Sequence, residues 1–393
     1  MESRYDVIVI GAGPAGSAAS IVLATAGHRV LLLEKSRFPR EKLCGEFLTP
    51  ECLPILARLG VLDRMCEAGA APIHQFTLFA PDGEGIPIPL AWIGEGRPFA
   101  LGLSRACMDW ILLERAREVG VEVRQEMTVL PSLKEDGSLL WIESQSPGQV
   151  RQTFGATMVL DASGRNGLFH KQSEQPVSRF EGARIFGCKV HLRQLPGLED
   201  QGELFFFRDG YGGLSHVEGE RTNLCFLTTE RTLLAAKGDR ERLLDLTLRT
   251  NLAARRRLSE VEVVGDWLGT GPITYGRQPS PPGVLTIGDA GAFIDPFTGS
   301  GMLLAFSSGL LAGDVIDEHF QRGISDRATI LDGYRSRHRL LFHRRYRAVS
   351  FLRQLAFRPA VRHLLVGVLK RQPGLARMVA RSTRLHSAPR QAA

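Results

Sequence analysis

At 393 residues, 44% hydrophobic and 23% charged, the chain can hold more than one core, since single cores stop growing near ~250–300 residues; its composition excludes disordered, collagen-like and coiled-coil classes. Six scattered cysteines without a C-x-x-C pair exclude a disulfide framework and a metal site of the zinc kind, and no apolar run reaches the ~18 residues of a membrane span. The net charge of +7 is unevenly placed: no Asp or Glu follows Asp332, and the last 61 residues carry 15 of the 49 Lys and Arg, so the preceding part holds 34 basic against 42 acidic residues.

Met1–Asp6 is polar and leads straight into an apolar pattern, so no signal peptide is expected, and a cytoplasmic protein, soluble or peripheral, is. Tyr5–Ile10 has the β-branched content of a strand buried on both faces. Gly11-Ala-Gly13-Pro14-Ala15-Gly16 follows, then an alanine-rich helix pattern stopping at Gly27, and a second strand from His28 to Glu34. In such a unit Gly11 permits the tight turn, Gly13 lets a pyrophosphate approach, and Gly16 lets helix and strand pack closely. The helix start supplies amides for phosphate. Glu34, 18 residues beyond Gly16, stands where a carboxylate accepts from ribose hydroxyls, so the ligand is NAD or FAD; this unit alone leaves both open.

Further along lies the loop Pro39–Pro50, with Cys44, Gly45 and Glu46, and then a hairpin pattern from His74 to Trp92 around Pro81-Asp82-Gly83. A helix opens at Leu103-Ser-Arg105 and runs to about Val119. Met158–Asp161 reads as a strand ending in a polar glycine turn that contains Gly164 and Arg165. Phe180 to Thr229 alternates as antiparallel strands, and about half of Phe205, Phe206, Phe207, Leu214 and Phe226 should line an apolar pocket, the rest being core. Tyr211, His216 and His191 on those strands receive no role. Val284–Met302 reads as a strand, an acidic turn at Gly288-Asp289, a loop fixed by Pro296, and a helix beginning near Gly299.

Together these segments resemble the FAD-binding fold shared by group A flavoprotein monooxygenases, geranylgeranyl reductases and flavin-dependent halogenases, over roughly residues 4–320. The stretch GD…DPFTGSGM carries most of the likeness. The fold class expected is α/β: a Rossmann-like FAD-binding domain (1–73, 98–175, 268–330), an inserted antiparallel sheet for substrate (74–97, 176–267) and basic C-terminal helices (331–393). The resemblance implies that Glu34 and Lys35 lie at the ribose, Arg105 near the pyrophosphate and Val129 beside the adenine. It also implies that Asp289 meets the ribityl hydroxyls, while Gly288, Pro296, Gly299, Ser300, Gly301 and Met302 shape the helix start that faces the N1/C2 edge of the flavin. A helix N-terminus stabilises anionic charge there by ~0.3–2 kcal/mol.

Asp161 and Gly164 would form the loop used near the pyrophosphate or for NAD(P)H, the reductant expected; alternatively, Asp161 and Arg165 form a local salt bridge. The loop at Cys44 looks like the CGE segment of geranylgeranyl reductases, which passes near the flavin ring. Cys44 there is a proton donor, a reactive thiol or a small buried residue, and Glu46 a polar group over the ring or a cap for the helix after Pro50. These two are the catalytic candidates.

The tail reads as three helices, Tyr334–Arg358, Ala360–Arg371 and Gly374–Arg384, split by Pro359 and Pro373. In the first, Leu341, Ala348, Leu352 and Leu355 share one face, while arginines mixed with aromatics such as Phe342 and Tyr346 cover the others. Such a segment suits an anionic membrane surface or a cap on the acidic body; no nucleic-acid motif accompanies it. The expected function is an NAD(P)H-dependent monooxygenase acting on a hydrophobic aromatic, lipid or polyketide-type molecule. The alternatives are a reductase of isoprenoid C=C bonds, a halogenase and a non-catalytic flavin sensor. Against the reductase and the halogenase stand the missing Y-x-W-x-x-P and W-x-W-x-I-P motifs: all four tryptophans are isolated.

Overall fold

The computed structural model describes residues 3–93, 98–169, 184–273, 275–277 and 281–356, with 372, 374, 375, 377 and 378. The α/β fold expected is the fold observed. A seven-stranded sheet runs in the order Glu122–Arg124, Val30–Leu33, Ser3–Ile10, Gln152–Asp161, Leu139–Gln145, Thr128–Asp136, with Val284–Thr286 also pairing with Gln152–Asp161. Its first four strands and Val284–Thr286 are parallel. Val7, Ile8, Val9 and Leu31–Leu33 are buried on both faces, which explains the unbroken apolar runs.

Helices cover one face. Pro14–Thr25 packs against Gly301–Gln321, and the crossing needs small residues: a Cβ on Gly309 would stand 2.3 Å from the Ala15 carbonyl oxygen, and one on Gly313 2.7 Å from Val22. The turn at Gly288 is thereby held against the start of the first helix, where a Cβ would meet Ala15 at 2.8 Å.

The second seven-stranded sheet runs Val263–Thr270, Ile185–Arg193, Arg221–Thr229, Gly210–Val217, Gln201–Phe207, Gln75–Phe79, Gly85–Pro89. The 75–89 hairpin joins it by a parallel pairing with Gln201–Phe207; the other pairings are antiparallel. Phe205, Phe207 and Phe226 pack with Leu192, Leu214 and Leu248 in a separate core.

The tail differs from the expected reading at the start of its first helix. Its first helix is Arg327–Ala356, begun seven residues earlier than Tyr334 because the Asp326 carboxylate accepts from the Thr329 amide at 2.8 Å. Its buried face carries Ile330, Leu331, Tyr334, Phe342 and Arg345, while Leu341 is exposed. The i, i+3, i+4 row that docks therefore runs through the aromatics and one arginine, not through Leu341. The side chains of Ala348, Leu352 and Leu355, and most of the two later helices, lie outside the described residues. Among the described residues no helix is long and apolar enough to cross a membrane.

Candidate functional site

One cavity of about 1090 Å³ lies between the sheets, bounded by the glycine loop after the first strand, the turn 162–168, the segment 287–302 and the inner face of the second sheet. That is at the upper end of the ~300–1,000 Å³ usual for small-molecule sites. Gly11, Gly13, Pro14, Ala15, Glu34, Lys35, Cys44, Arg105, Val129, Gly164, Gly288, Asp289, Pro296, Gly299, Gly301 and Met302 all line it. Gly16, Glu46, Asp161 and Ser300 do not.

Gly11 has φ +102°, and a Cβ there would lie 2.5 Å from the Ala162 carbonyl oxygen; on Gly16 it would lie 1.9 Å from that of Gly11. Both positions exclude any side chain, which lets the loop and the helix start pack against Ala162 and each other. The Glu34 carboxylate accepts from the amides of Ala12 at 2.8 Å and Ser36 at 2.9 Å, which fixes the loop to the second strand.

Arg105 stands beside this loop, its guanidinium within 3.7 Å of where a Cβ on Gly13 would be. Its Nε and Nη2 donate to the buried Asp109 at 2.9 and 2.7 Å, and Arg40 donates to the same carboxylate at 2.9 Å. Burial opposes the charge of Arg105, and Asp109 more than offsets it, so its pKa is raised. Lys42 also lines the cavity; burial, then Arg40 and Arg105, lower its pKa. The Asp289 carboxyl is pushed up to about 6 by burial, against the pull of Arg105, Arg165 and Lys42.

Asp161 does not itself line the cavity. It is fully buried at the end of its strand, and its carboxylate accepts from the amides of Ser163 at 2.9 Å and Leu168 at 3.2 Å. It shapes the turn that presents Gly164 and Arg165, and no Asp161–Arg165 ion pair forms. Arg165 instead donates to Thr270 and stands 6.0 Å from the Phe293 ring centroid.

Glu46 neither faces the cavity nor caps the helix after Pro50, which is Cys52–Arg58 with Glu51 before it. At φ +53° and with no exposure, it turns into the protein. There it accepts from Lys189 Nζ at 2.5 Å, His191 Nε2 at 2.6 Å and the Arg105 amide at 2.8 Å. Burial works against the charge of Lys189, but Glu46 and Glu41 raise its pKa overall. This node ties the 41–46 loop to the second sheet and to the helix carrying Arg105. Glu41, Glu46 and His191 converge as metal ligands would, but the ammonium of Lys189 already occupies that convergence.

Cys44 does line the cavity, and burial pushes its thiol up, with Arg105 opposing. The neutral thiol therefore prevails at pH 7, which argues against a reactive thiolate.

On the sheet side, Phe206, Leu214 and Phe226 line the cavity, whereas Phe205 and Phe207 are core. Tyr211 donates to Asp295 at 2.5 Å, and its ring packs with Phe206 and Phe297 at centroid distances of 6.5 and 5.5 Å. Sequence reasoning missed this aromatic corner; its signal was Asp295-Pro296-Phe297 inside the loop already singled out. His216 is structural, paired with the Leu195 carbonyl at 2.9 Å.

Residues 4–221 match the FAD binding domain family. The chain belongs to that family. It is 29% identical over 330 residues to a tryptophan 2-halogenase of Chondromyces crocatus, covering 79% of this chain and 61% of that protein's length. It is 27% identical over 346 residues to digeranylgeranylglycerophospholipid reductase 2 of Methanopyrus kandleri, covering 85% and 82%. The fold is that of the flavin-dependent brominase Bmp2 (TM-score 0.80, 22% identity, 97% and 93% covered). It is also that of PqsL, a probable FAD-dependent monooxygenase from Pseudomonas aeruginosa (TM-score 0.69, 17% identity, 97% and 99% covered).

The residues fit FAD. Gly11 and Gly13 line a cradle at the helix start, which the bare Gly16 lets pack against Gly11, and Arg105 and Lys42 bring positive charge beside it. Asp289, a half-buried carboxylate on the cavity wall, is placed to accept from hydroxyls. The helix Gly301–Gln321 begins at the same cavity, which Gly301 and Met302 line.

Proposed function

We propose that this FAD-dependent oxidoreductase is an NAD(P)H-dependent monooxygenase that hydroxylates an apolar aromatic substrate. The observation that carries the reading is the continuity of the cavity, from the dinucleotide groove at Glu34 and Val129 to the aromatic corner of Phe206, Tyr211 and Phe297. When bound, FAD supplies two-electron redox chemistry and reaction with O₂. The chain positions it and keeps water away. Glu34, Lys35, Arg105 and Lys42 hold the dinucleotide half, Asp289 the ribityl chain, and the helix start at Gly301 the ring edge. The rings of Phe206, Tyr211 and Phe297 offer edge and face contacts to a flat ring, worth ~0.5–1.5 kcal/mol per aromatic pair beyond burial. The fold shared with PqsL is consistent with this reading.

The test is NAD(P)H oxidation with O₂ uptake, stimulated by phenolic lipids or polyketides and yielding a product heavier by one oxygen atom. A product heavier by two hydrogens, formed from an isoprenoid without O₂, would replace this reading by the reductase. Cys44 favours that second reading: a thiol kept protonated at the cavity wall suits proton delivery to a carbon. Cys44→Ala would then lower the rate of C=C reduction without changing flavin reduction by NAD(P)H.

A further inference from the structure

The helix Gly301–Gln321 starts without a cap of its own. Ser300 stands at the N-cap position in helical backbone, φ −88° and ψ −8°, and its hydroxyl accepts from no amide of the first turn. Its hydroxyl accepts instead from Arg345 Nη2 at 2.6 Å. Arg345 comes from the basic C-terminal helix and is only 2% exposed, among the largest buried side chains of the described protein. Its Nη1 reaches Glu51 at 3.2 Å, at the start of the helix Cys52–Arg58. The neighbouring thiol of Cys52 is pushed up to about 12 by burial, so it adds no negative charge at neutral pH. Gly299, Gly301 and Met302, on the other side of the same turn, line the cavity.

We propose that Arg345 is a positioning residue of the flavin site. It holds the Ser300 hydroxyl and sets a full positive charge behind the helix start, so that this end of the cavity favours the reduced, anionic flavin over the oxidised one. The proposal rests on the reading that FAD lies along residues 288–302. Two effects add: the helix start at Gly301 and Met302 lines the cavity, and the guanidinium charge reinforces the positive end of the helix dipole. Glu51 partly offsets that charge. The basic tail thus contributes one residue to the redox centre, through a face that is buried and not solvated.

The experiment compares the FAD-loaded full chain with R345Q, R345K and E51Q, measuring midpoint potential by dye equilibration and FAD affinity by fluorescence titration. R345Q should shift the reduced-to-oxidised equilibrium at least tenfold toward the oxidised form, about 30 mV for a two-electron couple. R345K should recover most of that shift, because it keeps the charge. E51Q should move the potential the opposite way. R345Q that binds FAD at the wild-type potential would overturn the proposal, as would an E51Q shift of the same sign as that of R345Q. If R345Q does not fold, the sign of the E51Q shift decides. Wild-type protein that retains no FAD after reconstitution would overturn the flavin reading itself, and this proposal with it.

Discussion

Replacing Glu46 by alanine removes one acceptor from three donors that have no water to turn to. Lys189 is 1% exposed and would keep only Glu41 at 2.8 Å and the Lys42 carbonyl at 3.3 Å; His191 and the Arg105 amide would lose their contacts at 2.6 and 2.8 Å. Breaking a buried ion pair from one side costs ~3–5 kcal/mol when the remaining charge is left uncompensated, and because Lys189 keeps Glu41 the cost of E46A should fall at the lower end, about 3 kcal/mol. Against a total stability of ~5–15 kcal/mol, that is a large fraction. Removing both charges in E46L/K189M should cost less than the sum of the single changes, with a coupling of ~0.5–3 kcal/mol. Urea unfolding followed by circular dichroism gives the stabilities, and FAD titration reports whether the 41–46 loop has loosened. If E46A lies within ~1 kcal/mol of wild type, or the cycle shows no coupling, the node does not hold the loop and the reasoning is wrong.

Gly16→Ala places a Cβ 1.9 Å from the Gly11 carbonyl oxygen, a backbone atom that cannot step aside. It should cost ~1–3 kcal/mol of stability and abolish FAD retention, so a yellow G16A protein of wild-type stability would contradict the cradle. Asp289, with its pKa at about 6, gives FAD binding a pH dependence. Ribityl hydroxyls donating to the carboxylate lower that pKa, so the complex binds fewer protons than the free protein and affinity falls as pH drops through about 6. D289N should flatten the profile between pH 5 and 8, and a wild-type profile without this slope would remove Asp289 from the site. The exposed face of Arg327–Ala356 carries Leu340 at 82% exposure together with Arg339, Arg344 and Arg347. If it meets an anionic membrane at ~1 kcal/mol per basic residue, neutralising these three arginines should weaken sedimentation with phosphatidylserine vesicles by about two orders of magnitude. Equal sedimentation of both proteins would sink the membrane reading.

The parts legible in the sequence are those whose physics is local. A strand, a glycine turn and a helix write their periods and their φ requirements into neighbouring residues, so Gly11, Gly16 and the loop before Gly301 could be read directly. Glu46 could not: its partners Lys189 and His191 lie 143 and 145 residues away, and a carboxylate in a loop carries no mark of what it will meet. Asp161 is the opposite case, since it serves the amides of its own turn two and seven residues on. Phe205, Phe206 and Phe207 obeyed the alternation of a strand, but which parity faced the cavity depended on the docking of the whole sheet.

The tail shows how composition hides a division of labour. A run of arginines looks uniform in sequence, yet helical geometry sends Arg345 inward while Arg344 and Arg347 stay exposed. Removing the chain after Asp332 would therefore delete two things at once, an exposed basic face and the charge beside Ser300. Reduced vesicle binding by such a truncation would not by itself identify a membrane contact. Because the helix also buries Tyr334 and Phe342, the truncation should lose FAD as well as any affinity for lipid, whereas neutralising Arg339, Arg344 and Arg347 should leave the flavin in place. A truncated protein that stays yellow with an unchanged potential would show that the helix merely covers the site from outside.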